Sequence, residues 1–98
     1  MLIYIAHEYG GDLNNVEKAK RITHDLQVAD TENTYLCPLL ALSHLKYKEI
    51  SYEDEMAICL DMLSRCDGLF VASKISEGVR REIDFAKSHG IEVAYVEN

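Results

Sequence analysis

The sequence has little positive charge and no basic stripe. Ten Lys and Arg residues stand against 17 Asp and Glu residues, which gives a formal net charge of -7. Proteins that bind duplex nucleic acid neutralise phosphates with clustered basic side chains, so we expect no nucleic-acid partner. The same charge disfavours an anionic membrane surface. The negative charge does not exclude a phosphorylated small-molecule ligand, because backbone amides at a helix N-terminus bind anions even in a protein without net positive charge.

Cysteines are few and widely spaced. Cys59 and Cys66 are about two helical turns apart, too far for one tetrahedral metal site, and the third thiol is Cys37. An odd count without a CxxC pattern predicts reduced thiols in a cytoplasmic protein. We therefore expect no metal, and the sequence indicates no cofactor.

Long apolar runs are also missing. No run approaches the roughly 20 residues that a bilayer requires, and the apolar start at residues 1–6 is too short and lacks the basic residues of a signal peptide. The 98 residues suffice for one domain, residues 1–98. A domain of this size leaves much surface uncovered, which favours a homodimer or larger assembly.

The residues that are present alternate between strand and helix patterns. The apolar runs Leu2–Ala6, Thr34–Cys37, Leu69–Ala72 and Ile91–Val96 predict four strands. Leu39–Leu45 is expected to form one or two helical turns. The alternation predicts an α/β fold: a doubly wound, Rossmann-like parallel sheet of four to five strands in a three-layer αβα arrangement.

Three helices are expected between the strands. The first is capped by Asn14 or Asn15, the second by Ser51, and the third runs from Glu77 to His89 with Gly90 as its C-cap. The predicted buried positions are Val16, Ala19, Ile22, Leu26 and Ala29 in the first helix, Met56, Cys59, Leu60 and Leu63 in the second, and Val79, Ile83 and Ala86 in the third.

The carboxyl ends of parallel strands share one edge, where open α/β sheets bind ligands. Residues 7–15, 37–42 and 73–78 are therefore expected to meet there. They supply the candidate site residues, namely His7, Tyr9, Gly10, Gly11, Ser76 and Gly78, with Glu82 beneath.

Each candidate also has a simpler interpretation. Glu82 flanks the buried face of its helix, so it could simply be bonded to a nearby hydroxyl, or paired with Arg81 or a neighbouring loop. Ser76 is a good helix N-cap, and Gly78 could ease packing. His7 is more often structural than catalytic at such a position. Tyr4 is expected to pack in the core.

Two segments resemble one enzyme superfamily. One is the first strand with its Tyr9-Gly10-Gly11 loop, and the other is Ser76-x-Gly78-x-x-x-Glu82 after the strand that follows Asp67. Together they resemble the nucleoside 2-deoxyribosyltransferase-like superfamily, closest to its small uncharacterised bacterial and phage members, over nearly the whole chain.

The resemblance implies a reaction and roles for the residues. Glu82 would be the nucleophile that attacks the anomeric carbon of a nucleoside or nucleotide, as in retaining glycosidases, with hydrolysis or transfer to a second base. Ser76 and Gly78 would hold the phosphate or sugar hydroxyls. Tyr9 would line the pocket.

The sequence departs from the superfamily at two points of the site. Cys59 stands where an aspartate is usual, eight residues before Asp67, and His7-Glu8 replaces a Gly-Pro pair. Asp61 is a possible substitute, although it points to another side of the helix. Two alternatives therefore stay open: a nucleotide binder without catalysis, and a protein-interaction domain without a ligand.

Overall fold

The computed structural model describes residues 1–96, which form one four-stranded sheet with four helices. The elements in chain order are β1 (Leu2–Ala6), α1 (Leu13–Ala29), β2 (Thr34–Leu36), α2 (Pro38–Ala41), α3 (Tyr52–Ser64), β3 (Gly68–Val71), α4 (Glu77–Ser88) and β4 (Glu92–Tyr95). All neighbouring strands are parallel, in the order β2-β1-β3-β4. This confirms the predicted α/β fold, with four strands.

Alternate residues of the two central strands supply two separate cores. Tyr4, Leu69 and Val71 pack with Leu63 of α3 and Ile83 of α4 on one face. On the other face a second cluster joins residues of β1 and β3 to α1 and the segment before α2; it contains Ile5, Ala19, Cys37 and Ala72, with Ile3, Ile22, Leu26 and Phe70 around them. The sheet is therefore covered on both faces, which gives the three-layer arrangement.

The N-terminal cap of α1 differs from the prediction. Asp12 is the cap, and its side chain accepts a hydrogen bond from the Asn14 amide at 2.9 Å. Asn15 lies inside the helix and is buried, where its side-chain amide donates to the Tyr9 carbonyl at 3.0 Å. The asparagine assignment was wrong because a tight turn at Gly10 and Gly11 brings the aspartate to the capping position.

The remaining differences are small. Helix α2 begins at Pro38 and ends at Ala41, α4 ends at Ser88, and Ala29 is exposed. His89 is the C-cap of α4, and Gly90 follows it with a φ of +71°. Ser51 caps α3 as predicted, by accepting from the Asp54 amide. Within residues 1–96 there is no helix of the length and apolarity needed to cross a bilayer.

Candidate functional site

The sheet order creates a crevice at the carboxyl ends of β1 and β3. From β1 the chain crosses to β2 on one side, whereas β3 and β4 extend the sheet on the other side. Connections that leave in opposite directions separate at this point and leave space between them, which is where open α/β sheets bind ligands.

A cavity of about 710 Å³ lies at this edge. Every candidate of the sequence analysis except Asp61 contributes to its wall: His7, Tyr9, Gly10, Gly11, Ser76, Gly78 and Glu82. The remaining wall comes from the first residues of α1, from α2 and the connector that follows it, and from α3. The volume suits a small-molecule ligand.

The most unusual group in the cavity wall is the carboxylate of Glu82. Its side chain is 7% exposed, and the Tyr4 hydroxyl donates a hydrogen bond to its Oε2 atom. Tyr4 itself is fully buried in β1, and the Cys59 thiol lies beside it. This pairing with a hydroxyl agrees with one of the simpler interpretations of Glu82. Pairing with Arg81 is wrong, because Arg81 binds Glu53 through two hydrogen bonds.

Burial shifts the ionisation of all three groups. Desolvation raises the pKa of Glu82 from 4.5 to about 7, although the hydrogen bond from Tyr4 acts in the opposite direction. Burial and the nearby Glu82 charge raise the pKa of Cys59 to about 12, so its thiol stays protonated at neutral pH. The pKa of Tyr4 is also raised, first by burial and then by the charge of Glu82.

The first turn of α4 forms one edge of the cavity. The Ser76 hydroxyl accepts a hydrogen bond from the Val79 amide at 3.3 Å, so Ser76 caps the helix as predicted. The amides of Glu77 and Gly78 precede the first intrahelical hydrogen bond and have no partner within the helix. Together with the helix dipole they favour a negatively charged group.

The β1–α1 loop is held in a tight turn against the connector between α2 and α3. Gly10 and Gly11 have φ angles of +61° and +78°, which a side chain would strain. A Cβ atom at Gly11 would lie 2.8 Å from the Tyr47 ring. That ring also meets the ring of Tyr9 edge to face, with centroids 5.5 Å apart. The loop and the connector therefore each bring one aromatic ring to the cavity.

The structure separates the two remaining candidates. His7 follows β1, and its Nδ1 donates to the Glu8 carbonyl oxygen at 2.8 Å, so Nε2 is the ring nitrogen that this hydrogen bond does not use. Asp61 is exposed on α3, outside the cavity wall, and binds Arg65 one turn later at 3.3 Å.

Sequence reasoning missed four residues of the site: Tyr4, Tyr47, Tyr52 and Glu55. Tyr4 was placed in the core, which is correct, but its hydroxyl partner was not foreseen. Glu55 lies in the acidic first turn of α3, where a carboxylate is ordinary and gives no signal of a site. The two other tyrosines lie in or after an irregular connector, where no periodicity gives a signal. Across residues 1–96 the structure contains no cluster of His, Cys, Asp and Glu suited to a metal ion.

Fold and site together define a small doubly wound α/β protein with a ligand-sized cavity at the switch point of its sheet and a buried carboxylate in the cavity wall. The chain belongs to the family described as a domain of unknown function (DUF7768), which matches residues 1–96. No curated protein is significantly similar to it.

Proposed function

We propose that the protein cleaves or transfers the N-glycosidic bond of a nucleoside or nucleotide, with Glu82 as the nucleophile. The observation that carries the proposal is the buried carboxylate of Glu82, which faces a cavity of about 710 Å³ and is hydrogen-bonded to Tyr4. The resemblance of the Ser76-x-Gly78-x-x-x-Glu82 segment to deoxyribosyltransferase-like enzymes supports the same reaction.

The reaction requires a carboxylate oxygen as nucleophile and a nucleobase as leaving group. An oxygen of Glu82 attacks the anomeric carbon and forms a C–O ester bond, while the C–N bond breaks and its electron pair leaves with the base, which takes up a proton from water. Water then attacks the same carbon and the carboxylate leaves, which completes hydrolysis. A second base in place of water gives transfer.

The surroundings of Glu82 support this role. The Tyr4 hydroxyl holds Oε2, which fixes the carboxyl plane and leaves Oε1 for attack. A carboxylate with little water around it is a better nucleophile once it is ionised, and the pKa of about 7 leaves a substantial ionised fraction at neutral pH. Tyr9 and Tyr47 offer apolar ring surface of the kind on which a base stacks.

The test is release of free base from a panel of 2′-deoxynucleosides and their 5′-monophosphates. We expect Glu82→Gln to abolish release, because the amide keeps the hydrogen bond from Tyr4 but cannot attack. Asp84→Asn is the matched control, since Asp84 is exposed on the same helix. Equal rates for the parent and Glu82→Gln would remove Glu82 from the mechanism.

One observation favours a second function, binding of a nucleotide without catalysis. The superfamily usually has an aspartate where this chain has Cys59, and a thiol with a pKa of about 12 is not a base at neutral pH. Calorimetry separates the two functions: binding without release of base supports the binder. In that case Cys59→Asp would be expected to increase base release, because it restores the usual carboxylate.

The cytoplasm is the proposed compartment. Cys37, Cys59 and Cys66 are all free and buried. Free thiols persist in a reducing environment, which supports this assignment.

A further inference from the structure

A second, smaller cavity lies beside the first and is rich in positive charge. It has a volume of about 340 Å³, opens to solvent, and is called the basic pocket here. Its wall consists of His7, Glu8, Lys18, Arg21, Ile22, Ala72, Ser73 and Lys74. The proposed reaction uses none of its three cations.

Helix geometry places two of the three cations on one side of the pocket. Arg21 and Ile22 are three and four residues after Lys18, so both lie next to the Lys18 side chain on α1. Lys74 approaches from the loop after β3. Ile22 and Ala72 supply the apolar part of the wall.

These cations have no carboxylate partner within the described part of the chain. The three ion pairs found there join His24 to Asp25, Arg65 to Asp61 and Arg81 to Glu53. With Glu8 as its one acidic residue, the basic pocket has a formal charge of +2 on a chain of net charge -7. A concentration of unpaired cations against the overall charge favours an anionic ligand.

The two cavities share one residue, His7, which contributes to both walls. A ligand that occupies the larger cavity could therefore extend past the His7 ring into the basic pocket. The hydrogen bond from Nδ1 to Glu8 leaves the Nε2 nitrogen of that ring unused.

We propose that the basic pocket binds the phosphate of a nucleotide whose sugar lies in the Glu82 cavity, so that the substrate is a nucleotide rather than a nucleoside. The inference rests on the proposed function for the position of the sugar. A phosphate monoester carries a charge of about -2 near neutral pH, which matches the +2 of the pocket. Lys18, Arg21 and Lys74 donate to its oxygens.

The experiment measures binding of a 2′-deoxynucleoside, its 5′-monophosphate and inorganic phosphate by amide chemical shifts and calorimetry. We expect the monophosphate and inorganic phosphate to shift the amides of Lys18, Arg21 and Lys74. We expect Arg21→Glu to lower the affinity for the monophosphate about tenfold at low salt and to leave the affinity for the nucleoside unchanged. Lys20→Glu is the control, because Lys20 precedes Arg21 on α1, is exposed and lies outside the pocket wall.

Three results would overturn the proposal, and they are distinct from failure of the proposed function. The first is that Ser76→Ala lowers the affinity for the monophosphate and Arg21→Glu does not. The phosphate would then lie at the start of α4. Another is equal loss of affinity for Arg21→Glu and Lys20→Glu, which indicates a general charge effect. The third is absence of any shift at Lys18, Arg21 and Lys74 with inorganic phosphate. If inorganic phosphate binds there and no nucleoside or nucleotide does, the basic pocket is a simple anion site, and the proposed function fails together with the assignment of a nucleotide.

Discussion

Replacement of Glu82 by glutamine should change how the stability of the protein depends on pH. The pKa of Glu82 is about 7 in the folded protein and 4.5 in its ordinary environment. Between these values the folded state keeps a proton that the unfolded state has released. The stabilisation from this group is therefore complete below pH 4.5 and is lost as the pH rises through 7.

The magnitude follows from the size of the shift. A difference of this size corresponds to about 3 kcal/mol in the free energy of unfolding, most of it between pH 5 and pH 8. Because glutamine does not titrate, the Glu82→Gln protein lacks this loss. It should gain stability relative to the parent as the pH rises, and its amide oxygen still accepts from Tyr4.

Urea unfolding at several pH values from 5 to 8 measures the effect. In the difference between the unfolding free energies of parent and variant, the contributions of groups that titrate alike in both proteins cancel. Asp84→Asn should keep the pH dependence of the parent, because its side chain is exposed. Parallel curves for the parent and Glu82→Gln would refute the reasoning, since they would mean that the carboxyl group is not desolvated in the folded state. Base release, in contrast, should increase with pH through 7, because attack requires the ionised form.

Two further substitutions test how the site is held. Tyr4→Phe removes the hydroxyl that bonds Glu82, so at pH 8 it should reduce the free energy of unfolding by about 1–3 kcal/mol, and the pH at which base release is half-maximal should rise. An unchanged pH profile would contradict this coupling. Gly11→Ala should destabilise the fold by about 1 kcal/mol or more and displace the Tyr47 ring. Gly10→Ala is the control, because Gly10 has a similar φ and open space around the position of the new methyl group. The difference in the free energy of unfolding between the two variants, measured in urea, is therefore due to the contact with the Tyr47 ring. Equal losses of stability would show that this contact contributes nothing.

The fold was largely predictable because strand and helix patterns alternate without interruption. Short apolar runs such as Leu2–Ala6 and the helical periodicity of Glu77–Ser88 are local signals, and they sufficed to predict a doubly wound sheet. The general rule on switch points then brought the residues of three separate loops to one edge, and they contribute to one cavity.

The parts that escaped prediction depend on contacts between distant residues. Tyr4 and Glu82 are 78 residues apart, and no local pattern shows that a core phenol meets a helix carboxylate. Tyr47 lies in an irregular connector, and its ring packs closely on Gly11, 36 residues earlier in the chain. The α1 cap at Asp12 depended on the geometry of a glycine turn. Local propensity could not distinguish this cap from the two asparagines that follow.

Covalent trapping tests the central claim most directly. The 2′-fluorine of a 2′-deoxy-2′-fluoro nucleoside or its 5′-monophosphate destabilises the oxocarbenium-like transition states of both steps. Formation of a glycosyl-enzyme is therefore slower, and its breakdown is slow enough for the adduct to be measured. We predict that intact-mass measurement shows addition of one sugar unit to the parent and that peptide mapping locates it on Glu82, with no addition to Glu82→Gln. Release of base with no adduct on Glu82, or with an adduct on another residue, would contradict the account.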